Sequence, residues 1–305
     1  MGPYVIRRLL QTVPTIIGIT IITFLVMRVG GDPASVVLGE TATREAVAAY
    51  RAEHGYDRPV IVQYLTYMAD ALTGDLGTSV RYGVPVAELL LARLPATLEL
   101  GLIAVVLTVF IAIPIGVLAA LRPSGPLDVM ARSLALLGQA VPGFFLGIVL
   151  ILVFAVTLGW LPTGGRGTAA HVVLPAATLA AFMIALVVRF TRSSMRDVLR
   201  QDFVRTARAK GVSEFAIVRK HVTRNALIPI ITVIGLQAAA VFSGALVTET
   251  VFSWPGVGRL MVQAVYSRDL PLVQATVMFG TLAVVAVNLV VDIAYGLIDP
   301  RVRYE

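Results

Sequence analysis

Cysteine is absent from this 305-residue sequence, and charged residues are scarce. The lack of cysteine excludes disulfide bonds, thiolate zinc sites and cysteine nucleophiles. Charged residues make up 14% of the chain, whereas an average soluble domain contains about 25%. Most soluble folds are therefore excluded by the scarcity of charge.

Sequence motifs for the common hydrolase and nucleotide-binding sites are also missing. His54, His171 and His221 form no HExxH motif, and no Gly-x-Ser-x-Gly motif is present. A P-loop needs Gly-Lys followed by Ser or Thr, but Lys210 and Lys220, the only two lysines, precede Gly and His. We therefore expect a non-catalytic subunit that holds no metal and no cofactor of its own.

Long apolar runs explain the high hydrophobic content of the chain. Hydrophobic residues make up 57% of the chain, and the mean hydropathy is +0.86. A helix that crosses the bilayer needs about 20 apolar residues, and six such runs occur, at 9–29, 96–121, 134–158, 172–188, 226–248 and 272–298. The pattern predicts an all-α polytopic membrane protein with six transmembrane helices. Prolines 114, 142, 175 and 229 predict kinks in four of them.

The distribution of basic residues predicts the orientation in the membrane. Segment 189–224 holds ten Lys and Arg against three acids, for a net charge of +7, so it is expected on the cytoplasmic side together with both termini. Segment 30–95 holds five Arg against eight acids, for a net charge of −3. We therefore divide the chain into a tail with the first span (1–30), an extracytoplasmic loop (31–95) and a core (96–305) with a cytoplasmic loop at about 193–225. The positive charge reflects this topology, and we expect no nucleic-acid partner.

Within the cytoplasmic loop, residues 202–220 predict two short helices joined at a glycine. Gly211 can adopt the left-handed conformation that ends a helix, Ser213 is a favourable N-cap, and Glu214 would lie in the first turn of the second helix. Apolar residues of that helix, including Phe215 and Ile217, are expected to pack on the ends of the spans or on a partner. An alternative is a basic amphipathic hairpin that rests on anionic lipid headgroups.

The run Arg-Thr-Ala-Arg-Ala-Lys-Gly at 205–211, followed by Arg-Asn-Ala-Leu-Ile-Pro at 224–229, resembles the EAA loop of ABC-importer permeases. Counting back from Gly211 places Ala207 at the last Ala of that motif and Arg205 at its Glu. The presence of Arg in place of this Glu is similar to the pattern of the dipeptide/oligopeptide branch of the family. The resemblance continues through Leu-Pro-Ala-Thr-Leu-Glu at 94–99, Val-Phe-Ser-Trp-Pro-Gly-Val-Gly at 251–258 and Asp-Pro-Arg-Val-Arg at 299–303.

The resemblance implies a type I ABC importer permease fold with both termini in the cytoplasm of a prokaryote, as a multi-pass inner membrane protein. It implies that the chain forms half of a pathway for di- or oligopeptides together with a second homologous permease. Two cytoplasmic ATPase subunits would bind ATP and Mg, and an extracytoplasmic substrate-binding protein would deliver the cargo. The implied ATPase-docking residues are Arg205, Thr206, Ala207, Lys210, Gly211, Ser213, Glu214 and Phe215.

Polar or amphipathic side chains within the spans, or at their external ends, are candidates for the translocation pathway, because polar groups in lipid usually face a cavity or the bundle interior. The candidates are Glu99, Gln139, Gln237, Glu249, Trp254 and Asn288. We expect Glu249 and Trp254 at the external mouth and Asp292 in an ion pair with Arg189 or Arg192.

An ion-coupled secondary transporter or channel subunit is the alternative function, because six spans with few polar groups do not by themselves require ATP.

Overall fold

The computed structural model describes residues 2–29, 33–39 and 42–298, and its regular elements over these ranges are helices. Two helices extend into π-helical turns: α7 through Ile151–Thr157, and α10 through Ile217–Val222 into α11. The helices are α1 (Gly2–Val29), α2 (Pro33–Leu38), α3 (Arg44–Glu53), α4 (Val60–Thr73), α5 (Val86–Leu121), α6 (Pro126–Ala140), α7 (Gly143–Leu150), α8 (Ala169–Leu199), α9 (Asp202–Ala209), α10 (Glu214–Ala216), α11 (Thr223–Val251), α12 (Val257–Tyr266) and α13 (Leu270–Ile298).

Five of the six apolar runs lie within single helices, and the third is divided between α6 and α7 with its π-helical extension. Three helices are long and apolar enough to cross a membrane, namely α5, α8 and the Leu270–Val291 part of α13. Two bent helix pairs raise the number of candidate spans to five, and the apolar part of α1, Leu10–Val26, is shorter than these. The all-α membrane fold is thus confirmed, while the count of six crossings stays a prediction.

The third apolar run does not form the continuous helix predicted over 134–158. Helix α6 ends at Ala140, α7 begins at Gly143, and the two helices meet at an angle of 105°. Val141 is extended, with φ −84° and ψ 122°, because a residue before proline is sterically disfavoured in the helical region. Pro142 therefore produces a break in the chain direction, where a kink had been predicted.

Small residues bring α5 and α8 together along most of their length. Near one end, Ala96, Leu100 and Ala104 of α5 pack against the segment of α8 around Ala180. Towards the other end, Ala112, Ala119 and Ala120 of α5 join a second buried cluster with the segment of α8 from Val187 to Val198. Lipid tails are as apolar as leucine, so close packing of small residues is a major source of helix association in membranes.

The predicted extracytoplasmic loop is partly helical and packs on the bundle. Helix α4 contacts α1, where the hydroxyls of Thr20 and Tyr64 lie 2.9 Å apart and Phe24 makes an edge-to-face contact with Tyr64. The Tyr67 hydroxyl donates to the Met278 sulfur in α13 at 3.6 Å. Helix α5 begins at Val86, so its first turns belong to the segment predicted as loop.

Candidate functional site: a helical elbow and a buried polar cluster

The two short helices predicted around Gly211 are present, and the local prediction is confirmed. Helix α9 ends at Ala209, and Gly211 has a φ of +78°, the left-handed conformation for which glycine has no Cβ penalty. Ser213 is the N-cap of α10, and its hydroxyl accepts a hydrogen bond from the Ala216 N–H. We call residues 202–222 the elbow.

An ion pair that the sequence analysis did not include joins the two arms of the elbow. The Arg208 guanidinium donates through Nε to Glu214 Oε1 at 2.6 Å and through Nη2 to Oε2 at 3.2 Å. The hydrogen bond to Glu214 raises the pKa of the Arg208 guanidinium above its ordinary value. Both side chains are exposed, so the pair acts mainly by fixing the geometry across Gly211, because two parallel hydrogen bonds restrict the orientation of both groups.

The inner side of the elbow is anchored in the protein core. Val204, Ile217 and Val222 are completely buried and belong to the cluster that includes Met195 of α8. Ala207 is partly buried and packs against the same cluster, so part of its small side chain contacts this chain's own core. The elbow is therefore packed onto the ends of α8 and α11.

The outer side of the elbow carries most of the predicted docking residues. Phe215 is 73% exposed and borders a shallow open hollow with Arg219, Lys220 and Arg224. Arg205 is exposed, and its guanidinium lies 3.7 Å from the Asp202 carboxylate. The other exposed members of the predicted set are Thr206, Lys210, Gly211, Ser213 and Glu214.

Glu249 and Trp254, expected at an external mouth, are instead buried. Glu249 is completely buried, and Trp254 is 1% exposed. The Thr97 hydroxyl donates to Glu249 Oε1 at 2.6 Å and accepts from the Val257 N–H at 2.9 Å. The Arg259 N–H donates to Glu249 Oε2 at 2.9 Å, and the Trp254 indole N–H donates to the Ala96 carbonyl at 2.8 Å. We call this set, which joins α5, α11 and α12, the Glu249 cluster.

Two glycines allow the backbone to approach the Glu249 carboxylate. A Cβ atom on Gly256 would overlap that carboxylate, and one on Gly258 would lie 2.5 Å from the Leu246 Cα and 3.0 Å from Glu249 Oε2. The glycines of the Trp-Pro-Gly-Val-Gly run thus permit the hydrogen bonds that a buried carboxylate requires. This arrangement accounts for the burial of the Glu249 carboxylate and the Trp254 ring between α5, α11 and α12.

Glu99, the second acidic candidate, forms an exposed ion pair. Its Oε2 accepts from Arg166 Nε at 2.9 Å and from Nη2 at 2.5 Å. The same guanidinium lies 5.8 Å from the centre of the Trp254 ring. Arg166, in the segment between α7 and α8, therefore links an exposed carboxylate to the buried cluster, and no sequence signal had indicated it.

The remaining pathway candidates lie in three different places. Gln139 donates to the Ala135 carbonyl within α6 at 3.2 Å and lines a cavity between α6 and α8. Gln237 lines another cavity, of about 350 Å³, between α7, α8 and α11. Asn288 is exposed on α13. The structure does not bring these three side chains together.

Arg192 forms an ion pair that had not been predicted from the sequence. Its guanidinium pairs with Asp128 of α6, whose side chain is 1% exposed and also accepts from the Ser124 N–H at 2.9 Å. The side chain of Asp292 lies outside the described part of the structure. Asp128 follows Pro126 at the start of a helix, so it reads in the sequence as an ordinary first-turn acid.

The chain matches two related family models along nearly all of its length. Residues 1–101 match the N-terminal model of binding-protein-dependent transport system membrane components, and residues 112–304 match the model of the binding-protein-dependent transport system inner membrane component. It is 42% identical to the oligopeptide transport system permease protein AppB of Bacillus subtilis over the whole of both chains. It is also 42% identical to the glutathione transport system permease protein GsiC of Salmonella paratyphi A over 99% of both.

A solved structure supports the same fold. A chain of the MetNI methionine ABC transporter, in an inward-facing conformation, superposes with a TM-score of 0.60 at 16% identity. The match covers 69% of this chain and 96% of the other. The matched part of this chain therefore has the same fold as that chain of the MetNI transporter. The chain belongs to the family of inner membrane components of binding-protein-dependent transport systems.

Proposed function

We propose that this chain is one of two homologous transmembrane subunits of an ATP-driven importer of di- and oligopeptides in a prokaryotic inner membrane. The observation that carries the proposal is the elbow, which combines a buried inner side with an exposed Phe215 among basic residues. Its sequence, its family and its geometry support the proposal that it is a docking element for a cytoplasmic ATPase.

Docking would use the outer side of the elbow. Phe215 is a large apolar side chain held in contact with water, and such a residue is stabilised when it enters a groove on a partner. Arg219, Lys220 and Arg224 surround it and would pair with acidic or carbonyl groups of the ATPase. Arg205 and Lys210 add positive charge on the first arm of the elbow.

Coupling would follow from the rigidity of the elbow. Because Val204, Ile217 and Val222 are buried among residues of the bundle, a displacement of Phe215 by the closing ATPases must move the ends of α8 and α11. The bundle would then switch between outward-open and inward-open arrangements, a two-state transition biased by nucleotide on the partner subunits.

The peptide cargo and the binding protein are proposed from the relatives. AppB is named for oligopeptide transport and GsiC for glutathione transport, and both cargoes are peptides or peptide-like. The extracytoplasmic region with α3 and α4 is the proposed platform for a substrate-binding protein. Six membrane crossings with both termini in the cytoplasm complete the proposed arrangement.

Within this arrangement Gln237 and Asn288 are the better-placed pathway residues. Gln237 borders a cavity between three helices, and Asn288 is exposed on α13, where a second permease subunit could complete a polar channel. Glu249 and Trp254 would contribute by positioning helices, because their buried hydrogen bonds set the positions of α5, α11 and α12.

Purification of the tagged chain from its native membranes in mild detergent tests the assembly. We expect mass spectrometry to identify a second permease and P-loop ATPase subunits in stoichiometric amounts. A folded chain recovered alone or as a homo-oligomer, with uptake that stops when the ion gradient is collapsed, would instead favour an ion-coupled transporter.

Two pairs of variants test the docking element directly. Phe215→Ala is expected to lower ATPase co-purification, because it removes the exposed anchor, whereas Leu72→Ala, which truncates an 85% exposed side chain on α4, should not. Gly211→Val forces a β-branched residue into a left-handed conformation and is expected to leave insertion intact while reducing ATP-dependent uptake. Gly211→Asn should retain uptake, because Asn tolerates this conformation. Equal uptake by the Val and Asn variants would contradict the docking assignment.

A further inference from the structure

A cavity of about 260 Å³ opens between α6 and α8, and two of its wall residues, Ala131 and Val188, belong to the buried cluster that also holds the inner side of the elbow. Its walls are formed by Ala131, Ala135, Leu136 and Val188. Three arginines, Arg132, Arg189 and Arg192, and one amide, that of Gln139, border this apolar floor. A cavity with apolar walls and guanidinium groups at its rim is suited to binding an amphipathic anion.

The charges at the rim are only partly neutralised. Arg192 is held by the buried Asp128 carboxylate, and Arg132 lies 3.6 Å from the same carboxylate with half of its side chain exposed. Arg189 is exposed and has no ion pair with a carboxylate in the described part of the chain, and its guanidinium lies 5.6 Å from the Phe190 ring centre. Three cations against one anion leave a local charge of +2, and Arg189 is free to bind a further anion.

The cavity fits the headgroup level of the membrane placement proposed above. On α8, Arg189 directly follows the apolar run that ends at Val188, and on α6, Arg132 lies two positions before the run that begins at Leu134. Next to the cavity, α6 exposes an apolar surface made by Leu134, Leu136 and Leu137, which are 55%, 68% and 60% exposed. Acyl chains can lie along this surface while a headgroup reaches the arginines.

We propose that this cavity is a binding site for a phospholipid with a net negative headgroup. Arg189 and Arg132 bind the phosphodiester, the Gln139 amide donates a further hydrogen bond to it, and the acyl chains cover the leucines of α6. Arginine is well suited to this role because its planar guanidinium donates two parallel hydrogen bonds to phosphate oxygens. Basic pockets between membrane helices on the cytoplasmic side bind anionic headgroups in the same way. The inference rests on the membrane placement in the proposed function and not on its peptide cargo.

Native mass spectrometry of the purified, delipidated complex tests the proposal. Dioleoyl phosphatidylglycerol is the probe, dioleoyl phosphatidylcholine controls for the acyl chains, and inorganic phosphate controls for a free anion. We expect one tight site per chain for phosphatidylglycerol and weaker binding of phosphatidylcholine. Equal affinity for the two lipids, or displacement of phosphatidylglycerol by an equal concentration of phosphate, would overturn the proposal.

Charge-removing variants locate the site. Arg189→Gln is expected to weaken phosphatidylglycerol binding about fivefold, which corresponds to about 1 kcal/mol for one arginine near a membrane surface. Arg200→Gln is the matched control, because Arg200 is exposed at the end of the same helix and does not border the cavity. The same loss in both variants would show a general effect of charge and would refute the site.

A photo-crosslinking amino acid in place of Leu136 distinguishes lipid from protein. A lipid adduct supports the proposal, whereas a crosslink to a second permease subunit would show that protein covers this face and would overturn it. Because lipid binding requires neither ATPases nor transport, failure of the peptide-import assignment would leave these results unchanged.

Discussion

Replacing Thr97 by valine removes one oxygen atom from the contact between α5 and α11 with almost no change in side-chain volume. In the native structure that oxygen donates to Glu249 Oε1 at 2.6 Å and accepts from the Val257 N–H at 2.9 Å. Thr97 is 4% exposed and Glu249 is completely buried, so water cannot easily replace the lost partner. The substitution therefore leaves a buried donor and a buried acceptor without these bonds.

The expected loss of stability follows from the two hydrogen bonds that Thr97→Val removes. Leaving a buried polar group unsatisfied costs about 1 to 3 kcal/mol, so two such groups would cost about 2 to 6 kcal/mol. Because the Glu249 carboxylate keeps another hydrogen bond, we expect the fold to be destabilised by about 2 to 4 kcal/mol. At about 2 °C for each kcal/mol in a chain of this size, the Tm should fall by about 4 to 8 °C. The Arg259 N–H still binds Glu249 Oε2, which keeps the expected loss in the lower part of the range.

Thermal unfolding of the purified complex in detergent measures this change, with Thr108→Val as the control. Thr108 lies in the same helix and is completely buried, but its hydroxyl donates only to the Ala104 carbonyl one turn away. That carbonyl remains within its helix, so we expect the control to lose about 1 kcal/mol or less. If the two variants unfold at the same temperature, the Glu249 cluster does not stabilise the bundle in the way described.

Two further predictions concern the contacts of α8. Gly116→Ala would place its Cβ 2.6 Å from the Thr191 Cβ, so α5 and α8 must separate and the Tm should fall, whereas Gly280→Ala has no neighbour within 4 Å and should not lower it. A neutral Gly116→Ala variant would contradict the close packing of these helices. Asp128→Asn leaves the mostly buried Arg192 without a counter-charge and is expected to destabilise the fold by about 3 to 5 kcal/mol. The double variant Asp128→Asn, Arg192→Gln should recover part of this loss in the same thermal assay, and purely additive losses would show that the pair is not coupled.

Local features of this protein were predictable from sequence because their causes lie within a few residues. Gly211 and Ser213 end one helix and begin the next by rules that involve only neighbouring backbone groups. The apolar runs were equally visible, because the thickness of the membrane sets the length of a spanning helix. Pro142 indicated a disruption, but the 105° angle between α6 and α7 depends on what each helix packs against.

Contacts between distant segments account for the differences from prediction. Glu249 reads in the sequence as a polar residue at the end of an apolar run, and its burial depends on Thr97, which lies 152 positions earlier. Arg192 had several possible acidic partners, and the packing of α6 on α8 selected Asp128. The sequence by itself determined the helical membrane class, the elbow and the family. Only the tertiary structure decided which polar groups are buried. Burying a polar group costs free energy unless a hydrogen-bond or ion-pair partner compensates for it, and the packing of distant segments determines which partner is present.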